Sequence, residues 1–384
     1  MVHLLQLYSD RGLTVVKGEK QYIWDDKGNK YLDAHTGHGV AFLGHRNPFV
    51  VEYLKRQIDQ IMVLSPTFNT PIREEALQRL AHILPSKLTY IYLLNSGTEA
   101  VEFSLKIVFK NTQRRKIVAV KGCFHGRTFG SLMLTWNPKY KKQFEPLGKL
   151  FETVYLRPNA VEDIDKVLSE NVAAVYFEPV LGEGGVIPLN REFVKELFSR
   201  AREIGAYVVV DEIQTGFGRT GRLWAIEEFG IEPDILLAGK AIGGGYPVSL
   251  VAVRSELANN IKPGDHGSTY GSNPLAFAAV AGATRALLED NVVEKAAKIG
   301  KVLIKRLFEE LGNTRFVREI RGVGLMVGIE LRKEPTPVLR CLQEKHRVIA
   351  LKAGSTVLRL LPPYMINLED VERVVEGVKR CLSY

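Results

Sequence analysis

Short apolar runs alternate with amphipathic stretches through the middle of the chain. Apolar runs rich in β-branched residues occur at residues 116–120, 173–177 and 207–210, and stretches with the helical spacing of apolar positions lie between them. Continuous apolar runs of this length are typical of strands buried on both faces, and their alternation with helices predicts a mainly parallel sheet. We therefore expect an α/β fold with helices on both sides of the sheet.

The two ends of the chain follow a different pattern. Residues 12–33 contain short β-branched or aromatic runs around the turn Asp25-Asp26-Lys27-Gly28, which is a hairpin signal. Near the other end, a long helical stretch at residues 274–311 is followed by strands and a closing helix. We expect a large domain at residues 46–255 and a smaller α+β domain formed by residues 1–45 and 256–384.

Charge and hydropathy exclude only a few classes of function. The chain has 52 Lys and Arg against 43 Asp and Glu, a formal net charge of +9, which is compatible with an acidic partner as well as with a basic proteome. Neither a signal-peptide pattern nor an apolar stretch of membrane-spanning length is found, so we expect a cytoplasmic protein that binds neither membrane nor nucleic acid. Two short basic clusters, interpreted as solvated faces, comprise Lys110 with residues 114–116, and Lys139 with Lys141 and Lys142.

Three cysteines, Cys123, Cys341 and Cys381, are far apart in sequence and lack the spacing of metal ligands. The sequence therefore predicts no disulfide framework, no metal site and a reducing compartment. Cys123 is interpreted as a small packing residue rather than a catalytic thiol.

Two strand ends carry residues that suggest chemistry. Asp211 ends the run at residues 207–210, and the carboxyl ends of strands are where open α/β sheets bind ligands. Lys240 follows the apolar run at residues 235–238, where desolvation would lower its pKa and make it nucleophilic. A carboxylate and a lysine brought together suit pyridoxal phosphate. From these residues alone, Asp211 could instead cap a turn and Lys240 could be a solvated surface residue.

A third stretch has the pattern of a phosphate site. The apolar run at residues 91–94 leads into Asn95-Ser96-Gly97-Thr98-Glu99-Ala100 and then into a helical stretch. Free backbone N–H groups at such a helix start bind phosphate well. The same residues are equally compatible with a capping box that uses Glu99.

Together these stretches resemble the fold-type I, class III aminotransferases that use pyridoxal 5'-phosphate, the group that contains acetylornithine and ornithine aminotransferases. The likeness covers nearly the whole chain and implies a mainly parallel seven-stranded sheet between helices. The motifs that carry it, in the family's order, are Gly18-Glu19, Gly44-His45, Asn95 to Ala100, Phe124-His125-Gly126-Arg127-Thr128, Gly182-Glu183-Gly184-Gly185, Asp211-Glu212-Ile213-Gln214-Thr215-Gly216, Ala238-Gly239-Lys240 and Leu358-Arg359-Leu360-Leu361-Pro362-Pro363.

The resemblance implies catalytic and cofactor-binding roles for four residues. Lys240 would bind the cofactor covalently and move the proton of the reacting substrate carbon. Asp211 would hold the proton on the pyridine nitrogen, so that the ring can accept electrons. Gln214 would hydrogen-bond the phenolic oxygen, and Phe124 would stack on the ring face.

The phosphate of the cofactor is assigned by the same resemblance to Ser96, Gly97 and Thr98. Thr269 matches the family's threonine that reaches the phosphate of the neighbouring subunit. A complete site would then require a homodimer with shared active sites.

For the substrate, the resemblance implies two carboxylate-binding arginines, since a guanidinium can bind a carboxylate through two parallel hydrogen bonds. Arg359 would bind the α-carboxylate of glutamate or 2-oxoglutarate, and Arg127 a second carboxylate. Glu183 would neutralise Arg359 when the other substrate is bound. Ser268 is also expected to bind substrate.

Within the class, the chain is most similar to aminotransferases of the carrier-protein routes to lysine and arginine. These enzymes act on aminoadipate semialdehyde or glutamate semialdehyde attached to a small acidic amino-group carrier protein, which a basic rim such as the cluster at residues 139–142 could attract. The resemblance rests on residues 136–140, 321–328 and 344–351.

Other functions stay open at this point. An acetylornithine, ornithine or 4-aminobutyrate aminotransferase could carry similar motifs, and a substrate panel would separate them. A mutase of the glutamate-1-semialdehyde type shares the fold and the lysine but needs no amino acceptor. A binding module without enzymatic activity would rest on the basic charge alone and would show salt-sensitive retention on polyanions.

Overall fold

The computed structural model describes residues 2–147 and 149–382, and this part of the chain forms one large sheet flanked by smaller ones. The strands are β1 (Val15–Glu19), β2 (Tyr22–Asp25), β3 (Lys30–Asp33), β4 (Tyr90–Leu94), β5 (Lys116–Val120), β6 (Glu152–Leu156), β7 (Val172–Phe177), β8 (Val180–Leu181), β9 (Ile187–Pro188), β10 (Tyr207–Asp211), β11 (Ile235–Ala238), β12 (Ser249–Val253), β13 (Val317–Val323), β14 (Met326–Leu331), β15 (Val348–Ile349), β16 (Leu351–Ala353) and β17 (Val357–Leu360). The α-helices are α1 (Thr36–Gly39), α2 (Pro48–Ile58), α3 (Pro71–Ala81), α4 (Gly97–Asn111), α5 (Phe129–Leu134), α6 (Pro138–Lys141), α7 (Ile164–Val167), α8 (Arg191–Glu203), α9 (Ser255–Ala258), α10 (Pro274–Glu289), α11 (Val292–Leu311), α12 (Thr336–Cys341) and α13 (Leu368–Leu382).

The large sheet has seven strands in the order β4-β12-β11-β10-β7-β5-β6. Only β12 runs antiparallel to its neighbours, which confirms the predicted α/β class with a mainly parallel sheet. Every residue of β7 and β11 is buried, as expected of strands covered on both faces. The edge strand β6 was not predicted, because its residues are mostly half-exposed and form no continuous apolar run.

The parallel pairing of β7, β10 and β11 sets the position of the candidate site. Val210 of β10 pairs with Phe177 of β7, and Asp211 pairs with Leu237 of β11. The residues that follow these three strands therefore emerge at the same edge of the sheet.

The two chain ends meet in a second sheet. The predicted amino-terminal hairpin is present, and its last strand, β3, pairs in parallel with β15 from the far end of the chain. A further sheet, β13-β14-β17-β16, carries Arg359. The predicted long helical stretch at residues 274–311 is present as two helices, α10 and α11, whereas the domain bounds at residues 45/46 and 255/256 stay a prediction.

The helix α10 packs closely on α2, through a glycine. A Cβ atom at Gly282 would lie 2.9 Å from the carbonyl oxygen of Phe49 and from the Cα atom of Val50, so a larger residue would separate the two helices. No helix among the described residues has the length and apolar character needed to cross a membrane.

The prediction of no disulfide is wrong. Cys341 and Cys381 form a disulfide with a Cα–Cα distance of 5.8 Å across 40 residues of sequence. The cause is tertiary: α13 folds back against α12, which sequence spacing does not reveal. Cysteine usage therefore no longer indicates a reducing compartment. Cys123 is a buried free thiol whose Sγ donates to the carbonyl oxygen of Leu134 at 3.1 Å.

Candidate active site

A cavity of about 420 Å³ lies at the carboxyl ends of β7, β10 and β11. It brings together most of the residues singled out from the sequence. Its wall is formed by Gly97, Thr98, Phe124, His125, Gly126, Arg127, Thr128, Glu178, Glu183, Asp211, Ile213, Gln214 and Lys240. Of the described residues predicted for the site, Ser96, Ser268, Thr269 and Arg359 lie outside this wall.

Lys240 enters the cavity from the turn after β11. Its backbone has φ 47°, in the left-handed region that residues with a side chain seldom adopt, and a tight turn at Lys240–Gly243 follows. Burial lowers the pKa of Lys240 from its ordinary value to about 8, because a charged amine loses its water there. About a tenth of this amine is therefore neutral and nucleophilic at pH 7, and the neutral fraction rises through pH 8.

Asp211 forms a buried ion pair that the sequence did not predict. Its Oδ2 lies 2.7 Å from Nδ1 of His125, and its Oδ1 accepts a hydrogen bond from the backbone N–H of Ile213 at 3.0 Å. Burial acts to lower the pKa of His125, but Cys123 and the Asp211 carboxylate outweigh it and hold that pKa well above its ordinary value. The His125 imidazolium fixes the orientation of the Asp211 carboxylate.

A second carboxyl group, Glu178, lies in the same wall. It accepts hydrogen bonds from the backbone N–H groups of Phe124 at 2.8 Å and Gly182 at 3.3 Å. Burial raises the pKa of Glu178 to about 7. Sequence reasoning missed this residue, although it directly follows the buried strand β7, the same kind of position that singled out Asp211.

Among the described residues, no side chain caps the start of α4, which lines the cavity with Gly97 and Thr98. Ser96 is the N-cap residue, but its side chain makes no cap and instead donates to Oε2 of Glu99 at 2.7 Å. The capping box considered from the sequence is therefore not formed, and the first-turn N–H groups are free to bind an anion. A Cβ atom at Gly97 would lie 2.9 Å from the side chain of Ile213, which lines the cavity.

Arg359 is fully buried behind the cavity wall and touches two residues that line it. Its guanidinium donates to Oε1 of Glu183 at 2.6 Å and to Oε1 of Gln214 at 3.2 Å. Burial raises the pKa of Glu183, but the positive charges of Arg359 and Lys240 outweigh it, so this pKa is lowered overall. The Nε atom of Arg359 is buried with no hydrogen-bond partner among the described residues.

Arg127 is an exposed residue of the cavity wall. Its guanidinium donates to the hydroxyl of Tyr8 and lies 5.5 Å from the centre of that ring. Tyr8, from the exposed amino-terminal segment, was not predicted, because that segment has no periodic pattern. The preceding Gly126 has φ +126°, and a Cβ atom there would lie 2.3 Å from Oγ1 of Thr98. Glycine is thus required for the turn that presents Arg127.

Ser268 and Thr269 are not brought into the cavity of their own chain. The hydroxyl of Ser268 accepts a hydrogen bond at 3.1 Å from Nδ2 of Asn95, the residue before the N-cap Ser96 of α4. Thr269 is exposed to solvent. Neither placement tests the role predicted for these residues.

Known proteins match this chain over nearly its whole length. The model of the family "Aminotransferase class-III" matches residues 8–382. The chain belongs to the class III aminotransferases.

Among curated relatives of this aminotransferase, a [LysW]-aminoadipate semialdehyde/glutamate semialdehyde transaminase from Sulfurisphaera tokodaii is 54% identical over 98% of this chain and 96% of its own. The protein of the same name from Sulfolobus acidocaldarius is 54% identical over 96% and 94%. A solved ornithine aminotransferase from Toxoplasma gondii, described with partial occupancy of pyridoxal phosphate at its active site, superposes with a TM-score of 0.92 at 30% identity, covering 99% of this chain and 92% of that one.

The predicted cofactor is confirmed at the level of the family: this aminotransferase uses pyridoxal 5'-phosphate. The cavity fits such a group in three respects. It contains an amine with a lowered pKa, a buried carboxylate held by an imidazolium, and an uncapped helix start for a phosphate.

Proposed function

We propose that this aminotransferase moves an amino group between glutamate and a semialdehyde carried on the small acidic protein LysW. The substrates would be LysW-linked 2-aminoadipate 6-semialdehyde and glutamate 5-semialdehyde, giving LysW-lysine and LysW-ornithine for lysine and arginine biosynthesis in the cytoplasm. The observation that carries this proposal is the 54% identity, over nearly the full length, to two transaminases named for these substrates.

On the cofactor side, bound pyridoxal phosphate supplies the electron sink for the reacting substrate carbon. Lys240 would hold the cofactor through its amine and would carry the proton to and from that carbon. Asp211 keeps the proton on the ring nitrogen and is itself held by His125. Gln214 and Phe124 orient the ring.

The phosphate is assigned to the start of α4, through Ser96, Gly97 and Thr98. The support for this part of the proposal is the absence of any side-chain cap on that helix start.

On the substrate side, Arg359 binds the α-carboxylate of glutamate, and Arg127 its side-chain carboxylate. The ion pair between Arg359 and Glu183 supports a switch between substrates. Glu183 leaves Arg359 when glutamate enters and returns when the bound substrate has no charge near its reacting carbon.

Docking of the carrier is assigned to Lys139 and Lys142. Both are exposed on or just after α6, and Tyr140 between them packs edge-on against Phe124 of the cavity wall, with ring centres 6.0 Å apart. Lys141, in the same cluster, is half-buried and donates to the hydroxyl of Tyr155 at 2.8 Å, so it belongs to the fold rather than to the docking surface.

A substrate comparison tests the proposal. Purified enzyme is assayed with glutamate as amino donor and either the LysW-linked semialdehyde or N-acetylglutamate 5-semialdehyde as acceptor. Ornithine and 4-aminobutyrate are tested as amino donors with 2-oxoglutarate as acceptor. We expect the carrier-linked substrate to have the highest kcat/KM. A higher value for the acetylated compound would contradict the assignment.

The docking surface is tested with the double variant Lys139→Glu, Lys142→Glu. Reversal of both charges should lower kcat/KM for the carrier-linked substrate about tenfold at low salt, because steering is lost, and should leave the acetylated compound unchanged. Lys298→Glu, an exposed charge reversal on α11, is the matched control. Equal loss on both substrates would exclude this docking surface.

We also propose a homodimer in which Thr269 completes the site of the partner. Its support is the exposure of Thr269 next to Tyr270, a large apolar side chain that is 61% exposed in the single chain. In a mixed dimer of Lys240→Ala and Thr269→Val chains, one site combines the unchanged Lys240 of one chain with the unchanged Thr269 of the other. Mixing the two variants should therefore restore the cofactor affinity and the activity that each variant lacks alone. No recovery on mixing would contradict shared sites.

A further inference from the structure

A second group of chemically reactive side chains lies outside the cavity wall. It consists of Cys341, His346 and Cys381, whose sulfur and imidazole nitrogen atoms all lie within 4.8 Å of one another. The catalytic chemistry described above uses none of them. They come from the end of α12, from the turn that follows it, and from the last turn of α13.

The turn after α12 explains why Cys341 and His346 are neighbours. In an α-helix a residue five positions on would lie about 140° further round the axis. Residues Leu342–His346 instead form one turn of π-helix, in which hydrogen bonds join residues five apart. The wider turn places both side chains on one face, and Arg347 ends it with φ 56°.

The helix α13 contributes Cys381 and leaves space for the imidazole of His346. Gly377 and Cys381 are four residues apart and therefore share a face of α13. A Cβ atom at Gly377 would lie 3.2 Å from Cβ and 3.3 Å from Cγ of His346, which is tighter than ordinary contact. Glycine thus lets the imidazole lie against α13 beside Cys381. Among the described residues, the ring nitrogens of His346 have no hydrogen-bond partner.

We propose that Cys341, His346 and Cys381 bind a zinc ion when their disulfide is reduced. Two thiolates and an imidazole are a ligand set that zinc prefers, and water would take the fourth position. Tetrahedral zinc holds two sulfur ligands about 3.8 Å apart, so the side chains need only small adjustments once the S–S bond is broken. The same two helices would then be joined by a disulfide under oxidising conditions and by zinc under reducing ones.

The exchange balances in electrons and protons. A dithiol or phosphine reductant delivers two electrons to the disulfide and is itself oxidised, and the two sulfurs take up two protons. Zinc then displaces those protons, while the neutral imidazole binds through a ring nitrogen without proton release.

The test uses full-length holoenzyme and zinc alone as the probe. Oxidised and phosphine-reduced samples are dialysed without oxygen against buffered zinc, and the metal is measured by elemental analysis. We expect one zinc per chain in the reduced enzyme and none in the oxidised enzyme. Cys341→Ser and Cys381→Ser should lose the ion, and His346→Ala should bind it at least tenfold more weakly. Cys123→Ser, which changes the buried free thiol, is the matched control and should bind normally.

A second measurement does not depend on the folding of the variants. In the reduced wild-type enzyme, zinc should slow alkylation of Cys341 and Cys381 at least tenfold and leave Cys123 unchanged. The proposal would be overturned if the reduced Cys341→Ser variant bound as much zinc per chain as the reduced wild-type enzyme. It would also be overturned if zinc did not slow alkylation of Cys341 and Cys381. Full affinity in His346→Ala would exclude the imidazole as a ligand.

Discussion

The two arginines of the candidate site lie in opposite environments. Arg359 projects from the strand β17, is fully buried, and is held by Glu183 and Gln214. Arg127 follows a glycine turn, is exposed, and is held by Tyr8 from a segment that is itself exposed. Charges interact more strongly where water is excluded. The same side chain should therefore be a fixed, strong carboxylate site at the inner wall and an adjustable, weaker one at the rim.

The largest expected effect comes from the inner arginine. Arg359→Lys should lower kcat/KM for glutamate on the order of 10²–10³-fold, because a buried two-pronged contact is lost and Glu183 is left poorly paired. Steady-state kinetics with glutamate measure this. Arg318→Lys, an exposed substitution in β13 of the same sheet, is the control and should change little. If Arg359→Lys lowered kcat/KM for glutamate less than about tenfold, the buried Arg359 would bind carboxylate no more strongly than the exposed Arg127.

The charge that opposes Arg359 gives the next effect. Glu183→Gln removes a negative charge but keeps the shape, so glutamate should bind at least as well as before. The half reaction of the semialdehyde should slow about tenfold, because Arg359 is then no longer neutralised. Single-turnover kinetics of the two half reactions separate these outcomes. Equal slowing of both would mean that Glu183 only supports the fold.

The pKa of Lys240 predicts a pH dependence at the inner wall. Cofactor capture needs the neutral amine, and because the folded-state pKa is lowered to about 8, that form increases as pH rises through this value. The rate at which apoenzyme takes up pyridoxal phosphate should rise about tenfold from pH 7 to pH 9 and then level off. Absorbance during reconstitution measures it. A rate still rising steeply above pH 9 would indicate an ordinary lysine.

The smallest effects are expected at the rim. Arg127→Leu should raise KM for glutamate roughly tenfold or less with little change in kcat, since an exposed charge contributes about 1 kcal/mol. Tyr8→Phe keeps the ring and removes the hydroxyl that accepts from Arg127, so its effect on KM should be about two- to threefold. A larger effect of Tyr8→Phe than of Arg127→Leu would show that Tyr8 contacts substrate directly.

Local patterns predicted the parts of the site that lie at strand ends. Asp211 and Lys240 follow apolar runs that any buried strand requires, and the helix start at Ser96 follows another. Local sequence patterns could not predict which residues these side chains contact. The pairing of His125 with Asp211 spans 86 residues of sequence and depends on how the sheet is ordered.

The errors have the same physical origin. The disulfide between Cys341 and Cys381 forms because α13 returns to α12, and the strand β6 is stabilised by pairing with β5 rather than by an apolar run of its own. Both are decided by contacts between distant segments, to which local periodicity is insensitive.

The backbone of Lys240 has a consequence for how such enzymes change over time. At φ 47° glycine is unstrained, whereas a lysine costs on the order of 1 kcal/mol and also buries an amine. Lys240→Gly should therefore melt above Lys240→Ala, although both are inactive. A descendant released from catalysis would gain stability by replacing this lysine, so its retention in a related chain marks selection for the chemistry rather than for the fold.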